Sequence, residues 1–224
     1  MPLELTNEWL IVCEGSSDKA FFSELILKRA LPSFQIQYPK FFEGDTSGGW
    51  TKYGRFLDGI KVNQGFTENL KAILVVADSD DDPTKRFSEI QEQIKIAGGY
   101  GVPDRPLKAA GSAGSMPKIV IMMIPLDGGR GNLETLLLPA AYSKWQTLEV
   151  PLETYIDSSP VKDWAPGKQS KARLRCLLTS TCMQDPNTSL GLLWTRPPEY
   201  HIPVEHYSLN EIADVLQDFS ALIA

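Results

Sequence analysis

The chain has 224 residues with a formal net charge of −6, a sequence pI near 5.0, and a 42% hydrophobic and 22% charged composition. These are ordinary values for one large α/β domain or a domain with an appended lobe. The acidic balance argues against a dedicated nucleic-acid-binding module, which is more often basic overall, but permits an enzyme with a local basic strip and a metal that screens its acidic centre.

No stretch approaches the length of a transmembrane helix. The N-terminus lacks a basic region followed by an apolar core, so no signal peptide is expected. Cys13, Cys176 and Cys182 are odd in number and widely spaced, which suggests reduced thiols in a cytoplasmic protein.

Taken in order, the first element is an apolar strand, Trp9-Leu10-Ile11-Val12-Cys13, closed by Glu14-Gly15. Uninterrupted runs rich in Val and Ile read as strands buried on both faces of a parallel sheet. A helix is expected from about Asp18 to Ala30, on an apolar stripe of Phe21, Phe22, Leu25, Ile26 and Leu27, with Pro32 as its stop. Phe34 to Phe42 alternates apolar and polar residues, the pattern of a half-exposed strand. Glu43 to Gly49 reads as a turn, followed by a helix from about Trp50 to Val62.

The next strand, Lys71 to Ala77, ends in Asp78-Ser79-Asp80. Asp82-Pro83 reads as an N-cap with proline in the first helical position, opening a helix that runs to Ala97 and stops at Gly98-Gly99. Residues 98–117 are rich in Gly, Pro, Ala and Ser and read as a long loop. Lys118 to Ile124 is a fourth buried strand, followed by a turn through Arg130 into a helix beginning near Leu133-Glu134. From residue 145 the pattern is less regular. A helix carrying Lys168, Lys171, Leu174, Arg175, Leu177 and Leu178 is expected, and a C-terminal helix opened by a capping box, Ser208 to Glu211. The division expected is a core of residues 1–144 with an extension, 145–224, packed on it and not independent.

Two strands thus end in acids, and in open α/β sheets chemistry sits beyond the carboxyl ends of the strands. Asp78 and Asp80 are two apart and share a face if strand geometry persists. Glu14 ends a different strand and can approach the same point. Three converging carboxylates repel unless a cation joins them, and an oxygen-rich acidic site suits Mg²⁺. Its natural chemistry is phosphoryl transfer or phosphodiester hydrolysis. Asp18 is equally suited to stabilising its helix dipole and to joining the acids, and Gly48-Gly49 reads as a turn.

Glu14-Gly15 with Asp18, followed by Asp78-Ser79-Asp80 after a later strand, resembles the Toprim domain of topoisomerases, bacterial primases, small ribonucleases and the OLD nucleases. The likeness covers residues 8 to 140 and is nearest to small stand-alone Toprim-like proteins related to the OLD nuclease catalytic domain. It implies a Rossmann-like, mostly parallel sheet flanked by helices in which the two acid-bearing strands are neighbours. It implies Mg²⁺ or Mn²⁺ held by Glu14, Asp78 and Asp80. Glu134 resembles a further acid that OLD-type domains use for a second metal. A lysine near the metal, here Lys168 or Lys171, would also match that arrangement.

Lys168, Lys171 and Arg175 share a helical face, either a solvated side or a phosphate-contacting strip. Arg130, in a glycine-rich turn, is a further phosphate candidate. The function expected is Mg²⁺-dependent cleavage of DNA or RNA. The alternatives are a non-catalytic metal- or nucleic-acid-binding accessory, working with a partner protein or a second copy, and a phosphotransfer enzyme acting on a small phosphorylated substrate. The last is disfavoured in its glycosyltransferase form, because an Asp-x-Asp pair alone leaves Glu14 unexplained.

Overall fold

A computed structural model describes residues 4–40, 48–111 and 114–224. Its centre is a four-stranded, all-parallel sheet in the order β2-β1-β3-β4. The strands are β1 (Trp9–Val12), β2 (Gln35–Gln37), β3 (Ala72–Asp78) and β4 (Lys118–Ile124). The two acid-ended strands, β1 and β3, are neighbours, with Trp9 paired to Ala72 and Val12 to Val75. The fold class is therefore α/β and Rossmann-like.

Seven-residue β3 is apolar up to its closing aspartate because helices cover both of its faces. Ala72, Leu74 and Val76 face one layer, with α1 (Ser16–Lys28), α4 (Leu133–Lys144) and α6 (Pro166–Thr181). Ile73, Val75 and Ala77 face the other, with α2 (Tyr53–Ile60) and α3 (Pro83–Ala97). Truncating a buried leucine or isoleucine among these to alanine costs about 2–5 kcal/mol.

Residues beyond 144 belong to the first layer. They form α5 (Gln146–Ser158), α6, α7 (Leu190–Leu193), α8 (Asn210–Gln217) and α9 (Phe219–Leu222). Leu174, Leu177, Leu193, Ile212 and Phe219 lie in the same buried cluster as Ile11, Phe21 and Leu74.

Several local expectations change. The strand expected over Phe34–Phe42 is regular only over Gln35–Gln37, and Phe41, Phe42 and the turn through Ser47 lie outside the described residues. The helix expected from Trp50 begins as a 3₁₀ turn, Trp50–Lys52, before α2. Within the expected loop, residues 107–110 run along the free edge of β4. There Leu107 N–H donates to Ile121 and Ala110 exchanges bonds with Ile119, covering an edge that would otherwise stay unpaired.

The capping box expected at Ser208–Glu211 is not formed. A 3₁₀ turn occupies Tyr207–Leu209, and the His206 ring accepts from the Ser208 N–H instead. The single C-terminal helix is broken at Asp218 into α8 and α9, so that Phe219 turns into the core. Among the described residues no helix is long and apolar enough to cross a membrane.

Candidate functional site

The carboxyl ends of β1 and β3 open into a cavity of about 310 Å³ lined by Glu14, Asp18, Asp78, Glu134 and Lys171. Each acid is placed by backbone. Glu14 follows β1, and its Oε1 accepts the Asp78 N–H at 3.1 Å. Its carbonyl accepts the Gly49 N–H at 2.7 Å. Gly48 lies so close to that strand end that a Cβ would fall 2.1 Å from the Glu14 carbonyl oxygen; the Gly48-Gly49 pair is thus a close backbone approach, not merely a turn.

Asp18, in the first turn of α1, accepts the Gly15 N–H at 2.9 Å. Asp78 closes β3, and its Oδ1 accepts the Leu133 N–H at 3.0 Å, at the positive end of α4. Glu134 follows in the same first turn. These bonds engage one oxygen each of Glu14, Asp18 and Asp78, and all three residues line the cavity.

Lys171 reaches the acids because the starts of α4 and α6 are tied together. Asn132, the N-cap of α4, is buried; it accepts the Thr135 N–H at 3.1 Å and donates to the Gly167 carbonyl at 2.9 Å. Thr135 Oγ1 lies 2.9 Å from Ser170 Oγ.

The electrostatics follow from crowding. Burial, then the neighbouring Asp18, raise the Glu14 carboxyl from 4.5 to about 7. Burial, with Glu134 adding to it, raises Asp18 from 3.8 to about 6. Burial first, then Asp18, Glu14 and Glu134, push Asp78 well above the usual range, and burial raises Glu134. Burial would lower the Lys171 ammonium, but Glu134, Asp78, Asp80 and Glu14 outweigh it and hold it above its ordinary value.

Asp80 is placed differently from expectation. Strand geometry ends at Asp78, and Asp80 has φ +47°, in the left-handed region. Two backbone bonds with Gly131, of 2.7 and 2.9 Å, hold it there, as an uncommon conformation requires. The two aspartates therefore do not share a face. Asp80 opens onto a second cavity of about 360 Å³, lined also by Trp50, Ser79, Arg86, Lys168 and Lys171. Its Oδ2 is 2.6 Å from Nη2 of Arg86.

Lys168, Lys171 and Arg175 line a third, more open cavity beside Trp164, so the basic face of α6 adjoins the acids. Arg130 stands on its turn and lines neither acid-bearing cavity.

Arg86 carried no expected role. The signal was available: helical side chains lean toward the N-terminus of their helix, so an arginine early in α3 reaches back to the strand-end acids.

The donor chemistry fits a hard divalent cation, since oxygen ligands crowd one cavity and their charged forms are disfavoured without a counter-ion. As they stand, no group of three or more Asp, Glu, His or Cys side chains is arranged to hold an ion, among the described residues. Asp80, engaged by Arg86, does not fit the set.

In comparisons with known proteins, the model of one family, DUF3226, described as a protein of unknown function, matches residues 8–220. No curated protein and no solved structure matches.

Proposed function

The chain belongs to the DUF3226 family, whose description assigns no activity, and we propose that it is a divalent-metal-dependent phosphodiesterase that cleaves DNA or RNA. The observation that carries this reading is the sharing of one cavity by Glu14, Asp18, Asp78 and Glu134 at the carboxyl edge of a parallel sheet, with Lys171 among them. Glu14, Asp78 and Glu134 would hold Mg²⁺ or Mn²⁺. When bound, such an ion supplies charge stabilisation at a phosphoryl oxygen and a more acidic water.

The chain's own groups do the rest. Lys171 offers a cation to a phosphate oxygen arriving at the acids. Lys168 and Arg175 extend that cationic face along α6 and fix the substrate backbone beside it. Asp18 holds the Gly15 N–H and so the position of Glu14. The resemblance of Glu14-Gly15, Asp18 and Asp78-Ser79-Asp80 to Toprim nucleases supports the same chemistry by analogy.

The test is incubation of the purified protein with labelled single- and double-stranded DNA and RNA, with Mg²⁺, Mn²⁺ or chelator. Metal-dependent cleavage that Glu14→Gln abolishes is the expected result. No cleavage with either metal, beside retained ion binding, would replace this reading with a non-catalytic metal-binding module.

A further inference from the structure

Arg86 lies between carboxylates that follow two different strands, Glu14 after β1 and Asp80 after β3. Nη2 is 2.6 Å from Asp80 Oδ2, and Nη1 is 3.8 Å from Glu14 Oε1. The guanidinium is fixed from its other sides. Nε donates to Glu89 Oε2 at 3.1 Å, and the group sits over the Trp50 ring, 4.5 Å from its centroid. The side chain is 13% exposed. Nη1 is buried and, among the described residues, has no hydrogen-bond partner, although an unmet buried donor is costly. That donor faces Glu14.

We infer that Arg86 is a built-in counter-ion occupying the cation position between Glu14 and Asp80, so that the protein takes one divalent ion, on the Glu14–Asp78–Glu134 side, and not two. The inference rests on the metal reading above and narrows it. It departs from the two-metal arrangement that the OLD-type resemblance implies.

Charge supports the single ion. Among the described residues, four carboxylates and one ammonium line the first cavity; one divalent cation leaves a single negative charge of that set uncompensated. Asp80 already has its counter-ion. A second divalent ion at Asp80 would have to displace a charge-assisted hydrogen bond and sit beside a guanidinium that cannot lose its proton, where like charges repel strongly in a partly buried site. Glu89 and Trp50 hold Arg86 in place, so it cannot swing aside without losing both contacts.

The experiment counts Mn²⁺ bound per full-length chain, by the electron paramagnetic resonance of the free ion and by calorimetry, in wild type, Arg86→Met, Arg86→Gln and Arg86→Lys. Cooperative thermal unfolding of each variant checks that it is folded. Wild type should bind one ion. Arg86→Met and Arg86→Gln should bind two, because Glu14 and Asp80 then lack their cation, and Arg86→Lys should restore one. Two ions in wild type would overturn the inference even if no variant folds. One ion in a folded Arg86→Met or Arg86→Gln, with affinity within about twofold of wild type, would overturn it while leaving the metal reading intact. No ion in wild type would overturn the metal reading itself, and this inference with it.

Discussion

Glu14 and Asp78 are joined across neighbouring strands: Oε1 of Glu14 accepts the backbone N–H of Asp78 at 3.1 Å. The bond locks the acidic end of β1 to the acidic end of β3. It also buries a carboxylate beside another carboxylate, and that conflict has measurable consequences.

The first concerns pH. Glu14 titrates near 7 in the folded chain against 4.5 ordinarily, and Asp18 near 6 against 3.8. Both folded values are raised, so between each pair of values the folded state holds a proton that the unfolded chain has lost. Stability therefore falls as pH rises through this window and levels off above the folded values. In chelator, stability should decline between about pH 4.5 and about pH 7, by an amount on the order of 1–3 kcal/mol for such coupled groups, read as a falling melting temperature. Glu14→Gln should flatten the upper part of that slope and raise stability above about pH 7. A wild-type profile that rises over the same range would show that the acids are not crowded.

A divalent cation should reverse the penalty. An ion that binds only the folded chain adds about 2.7 kcal/mol at a hundredfold excess over its dissociation constant, and about 1 kcal/mol raises the melting temperature by ~2–4 °C at this chain length. Mg²⁺ or Mn²⁺ should thus raise it by roughly 5–10 °C at neutral pH. Asp78→Asn keeps an oxygen to accept the Leu133 N–H but loses the charge, and most of the shift should vanish. An equal shift in mutant and wild type would place the ion elsewhere.

Gly48 tests how closely the chain approaches the strand end. A Cβ there would lie 2.1 Å from the Glu14 carbonyl oxygen, so Gly48→Ala must move Gly48-Gly49 and break the Gly49–Glu14 bond. A loss of about 1–3 kcal/mol, as for overpacking, should come with a weakened Mg²⁺ response. A Cβ at Gly59, in α2, would meet no atom of the described residues within 4 Å, and Gly59→Ala should stabilise by up to ~1 kcal/mol through helix propensity. Chemical denaturation of both variants reads the difference; equal effects would mean that Gly48 is a plain turn.

Much of the fold was legible because its signals are local. Asp82 caps α3 by accepting the Lys85 N–H at 2.9 Å, Pro83 opens the helix and Gly98 follows it, and β4 is a continuous apolar run after Lys118, ending at Ile124. Glu14 and Asp78 at one sheet edge were legible for the same reason, since strands that end in acids point them there. The conformation of Asp80 was not, because two bonds to Gly131, far along the chain, turn the backbone just after β3. The pairing of Asp80 with Arg86 depends on that turn. The break between α8 and α9 was equally hidden: the apolar spacing continues across Asp218, and only the packing of Phe219 against Trp9 and Phe34 shows why the helix yields.

The two lysines of α6 should separate by role. Lys171 lines both acid-bearing cavities and compensates Glu134, Asp78, Asp80 and Glu14. Lys168 lines the second cavity and the open groove but not the first. Lys171→Ala should therefore lower stability in chelator at neutral pH and steepen the decline with pH, because the acids lose their nearby cation. Added Mg²⁺ should recover much of that loss. Lys168→Ala should leave the pH profile of stability unchanged and act on substrate, weakening nucleic-acid binding and reducing the magnitude of its log–log salt slope by about 0.7–0.9, the counterion release expected of one phosphate contact. Thermal unfolding across pH and binding titrations across salt measure the two effects separately. If Lys168→Ala binds with unchanged salt dependence while Glu14→Gln abolishes cleavage, the metal site stands and the outer part of the strip is a solvated helix face. If Lys171→Ala leaves stability unchanged in chelator, its ammonium does not compensate the acids.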